Sequence, residues 1–241
     1  MAKYRLHTFD YGMDFGRQFG NWGEIRVGAQ GEQGHYVLAI GDPTDPTLPV
    51  QSFSPYKLNE YFVRLTYDRL DDINFPRTGQ RAVVQYSAYR NASGIVQTAD
   101  QVTGSYIGAY SFGRDTLSFS AAGGTTLQVN VTDLNLQFPL GGFLNLSGLR
   151  YNSLLGPDYG IARVLYYHQI GRGGPGYFDV PTYLGASLEA GNVWETSAPG
   201  SFRKDASVFV GMDTFLGPLY LASGFDQHGE QAFYLLLGRT F

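Results

Sequence analysis

Alternation with a period of two recurs along the chain and restricts it to β-structure. Over residues 61–68, Tyr61, Val63, Leu65 and Tyr67 share one face, and Arg64, Thr66 and Asp68 share the other. Over residues 159–170, Ala162, Val164 and Tyr166 lie on one side, with Arg163, Tyr167 and Gln169 opposite. Over residues 207–216, Val208, Val210, Met212 and Leu216 alternate with Gly211 and Asp213. Successive side chains of a strand point to opposite faces, so each segment has one apolar and one polar side. Apolar-out, polar-in segments of about 10 residues are the pattern of strands that cross a membrane as a barrel.

Composition supports lipid rather than water as the outer solvent. Charged residues make up 16% of the chain, against about 25% in a typical soluble domain. The apolar runs are short, such as Tyr234 to Leu237, far below the roughly 20 residues of a membrane-spanning helix. The 18 Tyr, 17 Phe and 32 Gly favour strands and turns. The predicted fold is all-β: an antiparallel transmembrane β-barrel occupying residues 1–241 as one domain, with about 11–12 strands. The expected strands are 4–19, 24–40, 58–70, 80–91, 101–112, 116–126, 159–170, 182–194, 206–216, 219–228 and 231–241.

The connections set the topology. Asn21-Trp22, Arg114-Asp115 and Gly217-Pro218 mark tight turns, while 42–57, 127–158 and 195–205 are long. Outer-membrane barrels have short periplasmic turns and long extracellular loops. The long loops therefore face outside, and Phe241 ends in the periplasm as a terminal aromatic, the C-terminal signal for the barrel assembly machinery. Eleven strands then start the chain outside the cell, whereas single-chain bacterial barrels have even counts. The reading leaves open a twelfth strand, pairing with a second copy, or the C-terminal part of a larger barrel. Met1-Ala2-Lys3 passes directly into strand-like sequence, so an export signal is expected ahead of this segment.

Several function classes find no support. Net charge is −4 without a prominent basic patch, so nucleic acid is not an expected partner. No cysteine is present to form a disulfide or thiolate metal site. His7, His35, His168 and His228 fall on four expected strands without zinc-motif spacing. No Gly-x-Ser-x-Gly elbow occurs. No catalytic residue, metal or cofactor is expected, and the chain reads as a non-enzyme.

Three places carry the candidate site. The segment from Asp68 through Asp71, Phe75 and Pro76 to Gly79 is a turn rich in breakers. Pro76 sets φ, Gly79 accepts positive φ, and Asp71 or Asp72 can accept backbone N–H bonds; by itself this reads as an ordinary solvated hairpin turn. Loop 127–158 is too long for a plain connector. Gly141-Gly142 lets it bend, and burying Phe138, Leu140, Phe143 and Leu144 favours folding it into the lumen as a lid. Arg163 and Glu189 face inward on adjacent strands and are expected to approach as a lumen pair, with Arg150 as the rival partner.

These residues carry a family resemblance. Residues 67–79 resemble the "D…D…FP…G" turn of the outer-membrane assembly and two-partner-secretion superfamily, the group containing BamA and TamA. Phe138-Pro139-Leu140-Gly141-Gly142 and Leu146-Ser147-Gly148-Leu149 resemble its "F-x-LGG…V-R-G-F/Y" lid. Ser187-Leu188-Glu189-Ala190-Gly191 is similar to the strand motif that faces the lid arginine, and residues 211–220 to the final hairpin. Two departures stand out: Ser147 replaces the lid arginine, and Glu189 replaces the usual Asp. The Leu-Ser-Gly lid and residues 15–24 most resemble the barrels of patatin-like phospholipase autotransporters of the PlpD type. The resemblance implies the C-terminal part of a barrel of about sixteen strands, in the bacterial outer membrane. It also implies a translocator that anchors and helps export an attached hydrolase or lipase passenger. A passive outer-membrane pore is the alternative; a barrel enzyme needs a nucleophile and base at the outer rim, and none is recognisable. The expected partners are membrane lipid, the passenger and the barrel assembly machinery.

Overall fold

The computed structural model describes residues 3–40, 54–93, 98–127, 136–172, 180–195 and 200–238. Phe241, most of the loop 42–57 and the middle of 195–205 lie outside the described residues. Among the described residues there are thirteen strands and no α-helix: β1 (Lys3–Phe19), β2 (Gly23–Ile40), β3 (Ser54–Asp68), β4 (Gly79–Ser93), β5 (Ala99–Phe112), β6 (Asp115–Thr126), β7 (Phe138–Leu140), β8 (Leu154–Gly156), β9 (Asp158–Arg172), β10 (Pro181–Trp194), β11 (Arg203–Thr214), β12 (Gly217–Asp226) and β13 (Gln231–Leu237). Eleven of them form one antiparallel sheet in the order β1-β2-β3-β4-β5-β6-β9-β10-β11-β12-β13. β7 and β8 form a separate hairpin inside the lid, with Phe138 opposite Gly156 and Leu140 opposite Leu154.

The sheet is therefore the expected meander, with three corrections. The 127–158 loop is not structureless: its own hairpin supports the lid. β3 begins at Ser54, not residue 58. The last tight turn is Phe215-Leu216, while Gly217 and Pro218 open β12. Leu216 N–H donates to Thr214 Oγ1 (3.3 Å), Thr214 Oγ1 donates to the Gly217 carbonyl (2.6 Å), and Gly217 takes φ +111°. Among the described residues β1 pairs only with β2 and β13 only with β12, so no ladder closes the ring.

The alternation has a direct structural counterpart. Tyr61, Val63 and Leu65 stay 52%, 42% and 51% uncovered, and Phe9 to Phe15 on β1, Leu117 and Phe119 on β6, and Phe233 to Leu237 on β13 continue this belt. An uncovered apolar belt on every strand is too extensive for a water-facing surface; in a bilayer it is the lipid-facing side. Val63→Arg is expected to lower the unfolding free energy in vesicles by about 2 kcal/mol. The inward-facing neighbour change Thr66→Arg should cost far less in the same urea titration.

The inner face divides into two parts. On β1 to β4 it is a polar network in which Arg26 bonds Asp14 and Glu24, and Glu60 accepts from Gln30 and Gln85. Arg64 Nε donates to Gln85 Oε1 (2.6 Å). On β9 to β13 the inner face is instead covered by the lid and by the β3–β4 turn, which supply its apolar core.

Candidate functional site

The lid begins where β7 ends. Gly141 and Gly142 take φ of +118° and +113°, and Leu144, Leu146 and Asn152 are also left-handed. This tight path is closed by short backbone bonds: Asn145 N–H to the Gly142 carbonyl (2.9 Å), Gly141 N–H to Asn145 (2.8 Å) and Leu149 N–H to Leu146 (3.0 Å). The bend points the apolar side chains into the sheet. Leu140, Leu146 and Leu149 bury against Ile161, with Leu154 and Val193 around them. Phe143 and Leu144 join Tyr167, Tyr183, Phe209, Tyr220 and Ala222.

Ser147 stands at the tip and is fully buried (0%). Its N–H donates to Glu189 Oε2 (2.7 Å) and its hydroxyl to Glu189 Oε1 (2.6 Å), while it accepts from Leu144 N–H (2.8 Å). Gly148 N–H donates to Asp205 Oδ2 (2.7 Å). Tyr234 on β13 donates to the carbonyls of Ser147 (2.8 Å) and Leu149 (2.7 Å). Ser187 also donates to Glu189 Oε1 (2.6 Å) and bonds Ser207 (2.7 Å). Lid backbone is thus held by carboxylates from β10 and β11 and a phenol from β13. Charge-assisted bonds of this kind contribute about 1.5–3 kcal/mol each.

The approach is close enough to require glycine on the wall. A Cβ on Gly224 of β12 would stand 1.9 Å from the Ser147 carbonyl oxygen, and one on Gly148 would stand 2.3 Å from Asp226 N. Backbone meets backbone here without a side chain between.

The expected lumen pair stands side by side in the sheet. Arg163 and Glu189 are direct cross-strand partners, and the row continues from Glu189 to Asp205 and from Asp205 to Asp226. Arg163 donates to Ser120 Oγ (2.5 Å) and to the Leu144 carbonyl of the lid. Both residues therefore grip the lid from neighbouring strands. Arg150, the rival partner, is exposed. Glu189 takes the Ser147 backbone N–H directly.

The β3–β4 turn closes the other end, and the reading of it as merely solvated is corrected. Asp71 Oδ1 accepts from the N–H groups of Asp72 (3.0 Å), Arg77 (2.9 Å) and Thr78 (3.0 Å), and Asp72 Oδ1 accepts from Asn74 (2.6 Å) and Phe75 (2.9 Å). Asp68 Oδ1 accepts from Leu70 N–H (3.1 Å). These carboxylates satisfy the turn's own donors, which frees it to fold inward. Phe75 then stacks on Tyr183 at 4.3 Å and meets Tyr220 at 5.4 Å. Tyr167 donates to the Pro76 carbonyl, and Arg77 reaches Gln169 Oε1 (2.5 Å) and the Gly113 carbonyl (2.5 Å) across the barrel mouth. Gly79 has φ +98°, and a Cβ there would lie 1.9 Å from the Arg69 carbonyl oxygen. Gly79→Ala is expected to destabilise the fold by about 1–3 kcal/mol, read as a lowered urea midpoint in vesicles.

Sequence reasoning missed Asp205 and Tyr234 as lid ligands. Asp205 falls in the expected loop 195–205, and only the start of β11 at Arg203 brings it inward beside Glu189. Tyr234 carried no signal, because its partners are backbone carbonyls of a distant loop.

Structural comparison agrees with this architecture. No family model matches the sequence, and no curated protein resembles it closely enough to place it in a family. The crystal structure of BamA from Haemophilus ducreyi lacking POTRA domains 1-3 superposes with a TM-score of 0.73 at 13% identity. The match covers 96% of this chain and 54% of that one, so this chain spans about half its length. The fold is that of a bacterial outer-membrane β-barrel of the BamA type. The uncovered apolar belt is the surface that such a location demands.

Proposed function

We propose that this barrel is the outer-membrane anchor and translocator of a passenger domain carried on the same polypeptide. The observation that carries the reading is the lid, seated inside a BamA-type sheet and latched by Glu189 and Asp205. A lid with its own hairpin, core and dedicated ligands makes the lumen a gated space. The Leu146-Ser147-Gly148 tip and the residues 15–24 resemble the patatin-like autotransporter type among BamA-like barrels, which favours a hydrolase passenger. The barrel residues are assigned binding and gating, with chemistry left to the passenger.

An epitope fused ahead of residue 1 tests this in intact cells. Surface labelling by an antibody that does not enter the cell is the expected result; an epitope accessible only after outer-membrane lysis overturns it. A passive pore is the second reading, favoured by the uncovered polar inner face of β1 to β4, where Asp10, Gln30, Glu32, Glu60 and Tyr89 line a space of about 290 Å³. Planar-bilayer conductance separates the two. A translocator with its lid seated passes little current, while large steady currents with the lid intact establish the pore.

A further inference from the structure

The β3–β4 turn and the lid fold in from opposite ends of the sheet and meet on one ring. Phe75 of the turn lies 5.4 Å from the Tyr220 ring of β12, and Phe143 of the lid lies 5.3 Å from it. Phe209 of β11 stands edge-on to both Phe143 (5.6 Å) and Tyr220 (5.9 Å). Phe75 is in turn stacked on Tyr183 and edge-on to Tyr167 (6.2 Å). The wall is shaped for these rings: a Cβ on Gly185 would stand 2.3 Å from the Phe209 ring, and one on Gly211 2.8 Å from Phe75. Between turn and lid there remains a cavity of about 20 Å³, bounded by Phe75 and Pro76 of the turn, Leu144 of the lid, and Arg163, Tyr167 and Tyr220 of the wall. That is room for about one water.

The turn is built to move as a unit. Asp71 and Asp72 satisfy the N–H groups of Asn74, Phe75, Arg77 and Thr78 from within, so these bonds survive if the turn withdraws. What docks it is separate: Ser111 Oγ donates to the Arg77 carbonyl (2.8 Å), Arg77 bonds Gln169 and Gly113, and Phe75 enters the rings. The lid likewise carries its own hairpin and seats through Glu189 and Asp205. Close-packed contacts transmit displacement. A lid that leaves opens one side of Tyr220 and wets the cavity, and Phe75 then loses its dry seat. A turn that leaves does the same to Phe143 and Leu144. We infer that the β3–β4 turn and the lid form an interlock through Tyr220, so that displacing the turn at the tight-turn end releases the lid at the other. The inference deepens the reading of the lid as a gate and rests on it, but needs no passenger.

The test refolds the whole chain into phosphatidylcholine vesicles, with heat-modifiable migration confirming the folded sheet. Lid release is read as the rate of trypsin cleavage after Arg150. Phe75→Ala is expected to raise that rate about five-fold, the scale of one aromatic pair. Arg77→Gln weakens only the docking of the turn at the mouth and should raise it about two-fold; this variant keeps the test open if Phe75→Ala fails to fold. Phe75→Ala combined with Phe143→Ala should fall short of the product of the two single effects, since coupled sites are not additive. In a Tyr220→Leu background Phe75→Ala should add nothing. The reverse direction uses Ser111→Cys, a lone thiol in a chain without cysteine, half-buried under the turn. Its maleimide labelling should accelerate several-fold when Glu189→Leu is added. Unchanged cleavage in folded Phe75→Ala and Arg77→Gln, multiplicative effects in the double variant, an undiminished Phe75→Ala effect without Tyr220, or labelling indifferent to Glu189→Leu overturns the interlock. Neither rate involves export, so loss of the interlock leaves the anchor reading standing, and failure to display an epitope leaves the interlock standing.

Discussion

Glu189→Leu is expected to unseat the lid. Glu189 is 3% exposed and accepts from the Ser147 N–H, the Ser147 hydroxyl and the Ser187 hydroxyl. Leucine leaves those donors buried without an acceptor and removes the negative charge opposite Arg163 in the register. Breaking a buried charged contact from one side costs about 3–5 kcal/mol. At 1.4 kcal/mol per factor of ten, the fraction of molecules with the lid released rises by at least about 100-fold. Arg150 is the exposed lid residue next to the latch, so trypsin cleavage after Arg150 in refolded protein reads that fraction. Bilayer current should rise with it. Glu189→Gln keeps one acceptor oxygen and should fall between. Unchanged cleavage in Glu189→Leu refutes the latch.

Gly224→Val attacks the same seat from the wall and is expected to act at least as strongly. The new Cβ meets the Ser147 carbonyl oxygen at 1.9 Å. Backbone cannot rotate away as a side chain can, and ordinary overpacking already costs about 1–3 kcal/mol. Lifting the tip also breaks the Tyr234 bonds to Ser147 and Leu149 and uncovers Leu146. The lid should leave as a unit while the eleven-stranded sheet persists. The expected result is rapid cleavage after Arg150 with heat-modifiable migration retained. Slow cleavage together with loss of the folded band instead makes the lid essential to the sheet.

The sheet was legible because its signal is local. A strand facing lipid on one side and lumen on the other writes its orientation into every second residue, so Tyr61 and Arg64 declare their faces without reference to the rest of the chain. The lid's destination was legible too, from the cost of leaving Phe143 and Leu144 in water. Its internal hairpin was not, since strands of three residues, Phe138–Leu140 and Leu154–Gly156, are too short to display a period. Phe75 reads in the sequence as a turn residue because burial of a loop side chain leaves no periodic trace. The inward facing of Arg163 and Glu189 followed from parity. What they hold did not, because a backbone N–H looks the same at every position and only the left-handed path through Leu144 and Leu146 aims it.

The two rims of the sheet point the same way. With eleven strands alternating in direction, β1 and β13 run the same way across the sheet. A ladder laid directly between them is parallel, unlike every pair described in the sheet. A single strand that bonds both rims in the antiparallel manner must run opposite to β1 and β13. The rims therefore have a polarity: they distinguish between the two directions in which one further strand can pair with both.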